Sequence, residues 1–125
     1  MPHIVLEYSS NLPELPDFRA LFNDIHHALS RIGGIRLENC KSRARAAEHY
    51  YIGDGNPDNA FVHLDVEFVK GRDRELKQAI GRECLQLVKR YYHLHLSDSL
   101  QITVKIDDIA LDFYFKDPAG TLNYQ

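Results

Sequence analysis

At 125 residues, 44% hydrophobic and 26% charged, with a formal net charge of -3, the chain has room for one domain with a real core and not for two. That balance excludes a disordered chain and a broad nucleic-acid surface. Cys40 and Cys84 fit no C-x-x-C or Cys/His ligand pattern, so two reduced thiols are expected.

The chain opens Met1-Pro2-His3-Ile4-Val5-Leu6. If Met1 is removed, Pro2 becomes a free secondary amine, whereas a proline inside a chain has neither an N–H nor basicity. N-terminal amines titrate at about 7.7 to 8.0, and burial or neighbouring cations lower that value, so such an amine can act as a base near neutrality. Ile4, Val5 and Leu6 read as a buried strand that would hold the amine at the edge of a sheet. No apolar run approaches the roughly 18 residues of a membrane span, and no basic segment followed by an apolar one opens the chain, so a cytoplasmic protein is expected.

Ser9 to Pro16, with two prolines and small polar residues, interrupts regular structure. Asp17 stands where a helix N-cap belongs, and Phe18, Leu21, Phe22, Ile25, Leu29 and Ile32 follow at helical spacing until Gly33-Gly34. From Ile35 to about Tyr51 the chain reads as a strand whose Lys41, Arg43 and Arg45, at alternate positions, share one face. Ile52 to Asn59 is a dense turn. The order then repeats. Val62, Leu64, Val66 and Phe68 alternate as a half-buried strand with His63, Asp65 and Glu67 on its other face; Gly71-Arg72-Asp73 breaks it. Leu76, Ala79, Ile80, Cys84, Leu87, Val88 and Tyr91 draw a second helical stripe. Leu100, Ile102, Val104 and Ile106 alternate as a last long strand, and Asp112 to Phe115 are expected to add a short one. The reading is an α/β (α+β) fold in a single domain, residues 1–125. Two consecutive β-α-β units, 1–55 and 56–125, repeat at about 58 residues as an internal duplication. Right-handed crossovers place both helices on one face of a four-stranded sheet. The other face, with Phe61, His63, Asp65 and Glu67, could line the interior of a ring of subunits.

An N-terminal proline opening a strand, two β-α-β units and no cofactor motif together resemble the tautomerase superfamily. Within it, Lys41-Ser42-Arg43, Gly53-Asp54-Gly55, Ala60-Phe61-Val62-His63 and Gly71-Arg72, in that order, resemble the 5-carboxymethyl-2-hydroxymuconate Δ-isomerase family along essentially the whole chain. The resemblance implies a homotrimer with its sheets facing inward, and an isomerase that uses no cofactor and no metal. It further implies a cytoplasmic role in homoprotocatechuate degradation and a tricarboxylate dienol as substrate. The Pro2 nitrogen would carry a proton from one end of the conjugated system to the other while cationic side chains hold the carboxylates.

A polyanionic substrate must be positioned, and the charge that develops on deprotonation stabilised, so cations are needed near Pro2. Arg43 can fork onto a carboxylate with two parallel hydrogen bonds. Lys41 departs from the family, in which arginine more often stands, and offers a point charge in place of the fork. Arg72, after Gly71 at a strand-to-helix junction, matches a carboxylate-binding Gly-Arg of the shorter tautomerases, and the helix N-terminus there would favour an anion. Arg45 is either a third cation or a solvated edge residue. The seven histidines give no ligand spacing: His26 and His27 point apart on a helix, and His93 and His95 follow the second helix. Two other classes remain: a trimeric anion-binding protein without turnover, which would keep Lys41 and Arg43 but not need a free amine, and an RNA-binding sheet. The second lacks the exposed aromatic platform such sheets use.

Overall fold

The computed structural model describes residues 2–119. Strand β1 (His3–Ser9) leads to helix α1 (Phe18–Gly33), strand β2 (Lys41–Ala47), strand β3 (Ala60–Val69), helix α2 (Arg74–Tyr91) and strand β4 (Leu100–Ile109). The sheet order is β2-β1-β3-β4. β1 runs parallel to β2, antiparallel to β3, and β3 runs parallel to β4. Each parallel pair needs a crossover, and α1 and α2 supply the two.

Alternation decides which face is dry. Ile4 and Leu6 of β1 and Val62, Leu64, Val66 and Phe68 of β3 are fully buried, and they meet Leu21, Ile25 and Leu29 of α1 and Ile80, Cys84 and Val88 of α2. Both helices therefore cover one face of the sheet, and Arg31 of α1 pairs with Glu83 of α2 at 2.9 Å across their outer surface. His3, Val5 and Glu7, with Phe61, His63, Asp65 and Glu67, stand on the other, open face.

The helix ends follow the sequence closely. Asp17 accepts a hydrogen bond from the Ala20 backbone N–H, and Asp73 caps α2 by accepting from Leu76. Gly34, at φ 65°, closes α1 in the left-handed conformation, so that the N–H groups of Gly34 and Ile35 return to the carbonyls of Ser30 and Leu29. This reversal buries Ile35 and shortens the strand expected from Ile35 to Tyr51. A single 3-10 turn (Leu37–Asn39) intervenes, β2 begins only at Lys41, and it stops at Ala47. It stops there because it lies at the sheet's edge and its one partner, β1, ends at Ser9, with Ser10 making the last bond to Ala47. For the same reason Asp112 to Phe115 do not form the expected short strand. β3 has ended at Val69, opposite Ile109, and Leu111–Phe113 fold into a 3-10 turn instead.

Candidate active site

The register brings one end of the sheet into focus. His3, at the start of β1, pairs with Lys41 of β2 and Glu67 of β3, and Val5 pairs with Arg43. Pro2, just before His3, is buried, and its carbonyl accepts from the Lys41 N–H at 3.1 Å. Continued by one residue, the same register sets Pro2 between Cys40 and Phe68.

On the open face, Lys41, Arg43 and Arg45 are exposed along the edge strand. Lys41 donates from Nζ to the Asn39 carbonyl at 2.9 Å. Arg43 donates from a terminal nitrogen to Nδ1 of His3 at 3.1 Å, and Nε2 of His3 lies 3.0 Å from the Tyr114 hydroxyl. The His3 and Tyr114 rings meet edge to face, 6.0 Å between centres and 70° between planes. Burial, then the charges of Arg43 and Lys41, push the His3 pKa below its ordinary value. Arg45 lies opposite Glu7, so positive charge without an acidic partner in register is concentrated at the Pro2 end of the strand, at Lys41 and Arg43.

Arg72 reaches the same end from the helix side. It is only 8% exposed, its Nε donates to the Gly33 carbonyl at 3.0 Å, and its guanidinium stands 5.2 Å from the centre of the Phe68 ring. It thereby ties the end of α1 to the junction before α2. At this junction, where Arg72 is expected to help bind a carboxylate, a negative group already stands. The first turn of α2 is already capped by the Asp73 carboxylate, which repels a second anion. The four residues singled out from the sequence thus gather at one end of the sheet but divide between its faces: Lys41 and Arg43 on the open face, Arg72 toward the helices, and Pro2 at the strand's tip.

Sequence reasoning missed Tyr114. It lies 111 residues from His3, and only the β3–β4 pairing returns the chain to that end. Five other histidines are engaged elsewhere: His26 with the Ser42 hydroxyl at 2.6 Å, His27 with the Asn23 carbonyl at 2.8 Å, and His63 with the Thr103 hydroxyl at 2.6 Å. His93 and His95 bond the carbonyls of Arg90 and Glu14, each at 3.0 Å. Asp65 sits between His63 (3.8 Å) and Lys105 (3.7 Å) on the half of the open face away from β2.

The site can therefore hold a polyanion on a short cationic row beside a strand-initial proline. The family model for 5-carboxymethyl-2-hydroxymuconate isomerase matches residues 2–119. A 5-carboxymethyl-2-hydroxymuconate Delta-isomerase of Escherichia coli is 28% identical over 125 residues, which is all of this chain and 93% of that protein. Among solved structures, a 5-carboxymethyl-2-hydroxymuconate isomerase from Deinococcus radiodurans R1 has a TM-score of 0.83 at 25% identity, covering 98% of this chain and 90% of that one. A fused 4-OT described as a symmetric trimer has a TM-score of 0.75 at 14% identity over 94% of each chain, a likeness of fold alone. With its mixed sheet, its two crossover helices and its match from Pro2 onward, the chain has the tautomerase fold and belongs to the 5-carboxymethyl-2-hydroxymuconate isomerase family of enzymes.

Proposed function

We propose that the chain converts 5-carboxymethyl-2-hydroxymuconate into its 2-oxo-ene isomer, with the Pro2 amine as the proton carrier once Met1 is removed. The balance is internal: the 2-hydroxyl O–H bond breaks, the freed electron pair shifts the double bonds, and the proton carried on the proline nitrogen is delivered to a carbon at the far end. No electron enters or leaves, and the reaction needs no cofactor. One observation carries this reading: the cationic row of Lys41 and Arg43 sits in register beside His3 and Val5, against the buried tip that bears Pro2. Burial and nearby cations both favour a neutral amine, the form a base requires.

Arg43 takes a substrate carboxylate with its fork and Lys41 holds another as a point charge. Arg72 contributes a buried positive charge from the helix side and keeps the junction behind Pro2 rigid. The working protein is a homotrimer whose open sheet faces turn inward, as supported by the half-buried Val5, Phe61 and His63 on that face and by two sheet edges with no further strand among the described residues. A cytoplasmic setting is in keeping with a small-molecule substrate; among the described residues no helix is long and apolar enough to cross a membrane.

Intact mass and an ultraviolet assay test the reading together. Protein beginning at Pro2 should isomerise a tricarboxylate dienol faster than mono- or dicarboxylate analogues, with kcat/KM rising as the amine loses its proton. Retention of Met1 in protein from the native host, or full turnover by Pro2→Ala, would overturn it; the latter variant binding substrate without turnover supports it.

A further inference from the structure

We infer that Tyr114 is a catalytic hydroxyl of the Pro2 site, aimed by His3, which acts as a positioning residue linking it to Arg43. The inference rests on the isomerase reading for its chemistry and on the hydrogen bonds around His3 for its geometry.

The argument begins with what each group is able to do. A guanidinium has only N–H donors and does not lose its proton in proteins, so the 3.1 Å contact from Arg43 requires a bare, accepting Nδ1 on His3. A neutral imidazole with a bare Nδ1 carries its proton on Nε2. Burial and the two neighbouring cations hold His3 in that neutral form. Glu67, its register partner on β3, is the one acid directly opposite, and Lys41 on β2 offsets it.

The Nε2–H must then donate to the Tyr114 oxygen at 3.0 Å. A phenol that accepts at its oxygen has its own O–H directed elsewhere, and this hydroxyl has no second partner among the described residues. The chain from Arg43 through His3 to Tyr114 therefore ends in a free donor on the open face, close to the tip that bears Pro2. Bonds aligned in this sense polarise one another, which strengthens the last donor. A neutral hydroxyl held in advance suits an oxygen that gains charge during the reaction, such as the dienolate oxygen left when the 2-hydroxyl proton departs. Carboxylates, by contrast, carry their charge throughout and are served by Lys41 and Arg43.

Two measurements decide the matter. In protein labelled with nitrogen-15 at histidine, His3 at pH 7 should show a protonated Nε2 and a bare Nδ1; the opposite tautomer, or imidazolium, overturns the relay. Tyr114→Phe keeps the ring against His3 and removes only the oxygen. It should lower kcat on the dienol about tenfold or more while KM changes by less than about threefold. In a His3→Ala background the same substitution should add less than about twofold. An unchanged kcat in Tyr114→Phe overturns the catalytic role, and a full tenfold loss in both backgrounds overturns the positioning role of His3. If wild-type protein beginning at Pro2 turns over no dienol, the isomerase reading fails and Tyr114's chemical role with it, whereas the tautomer measurement still decides the relay. Should His3→Ala melt before assay, Tyr114→Phe and the nitrogen-15 spectrum are sufficient.

Discussion

In the proposed site Arg43 would serve two purposes, its guanidinium offering a fork to a carboxylate while its 3.1 Å hydrogen bond to Nδ1 of His3 sets that ring's protonation. Arg43→Ala should lower kcat about a hundredfold, equivalent to about 2.7 kcal/mol, on the scale of losing one preorganised donor. Steady-state assay checks this; a change in KM alone would show that Arg43 acts only on bound substrate. Lys41 is exposed and held only to the Asn39 carbonyl, so Lys41→Arg leaves the backbone undisturbed and restores a fork. Another residue-scale expectation concerns pH. Burial, then the charge of His27, lowers the His26 pKa from its ordinary 6.5. The unfolded chain therefore binds that proton more readily than the folded one. The stability this histidine contributes is complete above about pH 6.5 and is lost as pH falls through the lower folded value. His3 acts in the same direction. Urea melts at descending pH should show the loss, and His26→Gln should flatten it; a melt midpoint that rises on acidification would contradict the sign.

Among the elements, the helices were legible because their signals are local. Apolar spacing, an aspartate before each first turn and Gly34 after α1 need no distant partner to act, and all of them appear in the structure as caps or buried stripes. Asp17→Ala removes an acceptor for the Ala20 N–H and should cost about 1 kcal/mol, read as a lower denaturation midpoint with unchanged slope. Strand ends were not legible in the same way. A strand lasts only as far as its neighbour, so β2 stops where β1 stops and β4 stops where β3 stops, whatever the residues beyond would prefer. The cysteines follow burial as well: the Cys84 thiol is pushed up to about 12 and that of Cys40 to about 11, which keeps both protonated and slow toward thiol reagents in folded protein.

At the scale of the whole molecule, the described residues pair no further strand with either sheet edge, and beyond Tyr114 against His3 they leave much of one sheet face half-exposed. β2 and β4 are the outer strands, and the open face mixes Val5 and Phe61 with His63, Asp65 and Glu67, each half-buried in the isolated chain. Such a face is too apolar to be fully wetted without cost and too charged to pack at random, which suits a ring of copies with matched ion pairs. Light scattering at micromolar concentration should give a mass three times that of the chain; a stable monomer would contradict the proposed assembly. Because the cationic row lies on the edge strand β2, a neighbouring copy would stand close to it, and dilution below the assembly threshold should then reduce activity along with mass.

The sequence by itself determined the two β-α-β units, the caps, the dry face of the sheet, and the alternation that puts Lys41 and Arg43 on the face opposite the core. Each of these depends on residues within a few positions of one another, where periodicity acts directly. The tertiary structure alone decided the rest. Register set His3 beside Lys41, the return of β4 along β3 carried Tyr114 back to His3, and the packing of Arg72 against Phe68 and its bond to the Gly33 carbonyl joined the two helix ends. The reason is physical: a pairing between residues 111 positions apart is chosen by which strands share a ladder and which buried donors need acceptors, and no local pattern encodes that choice.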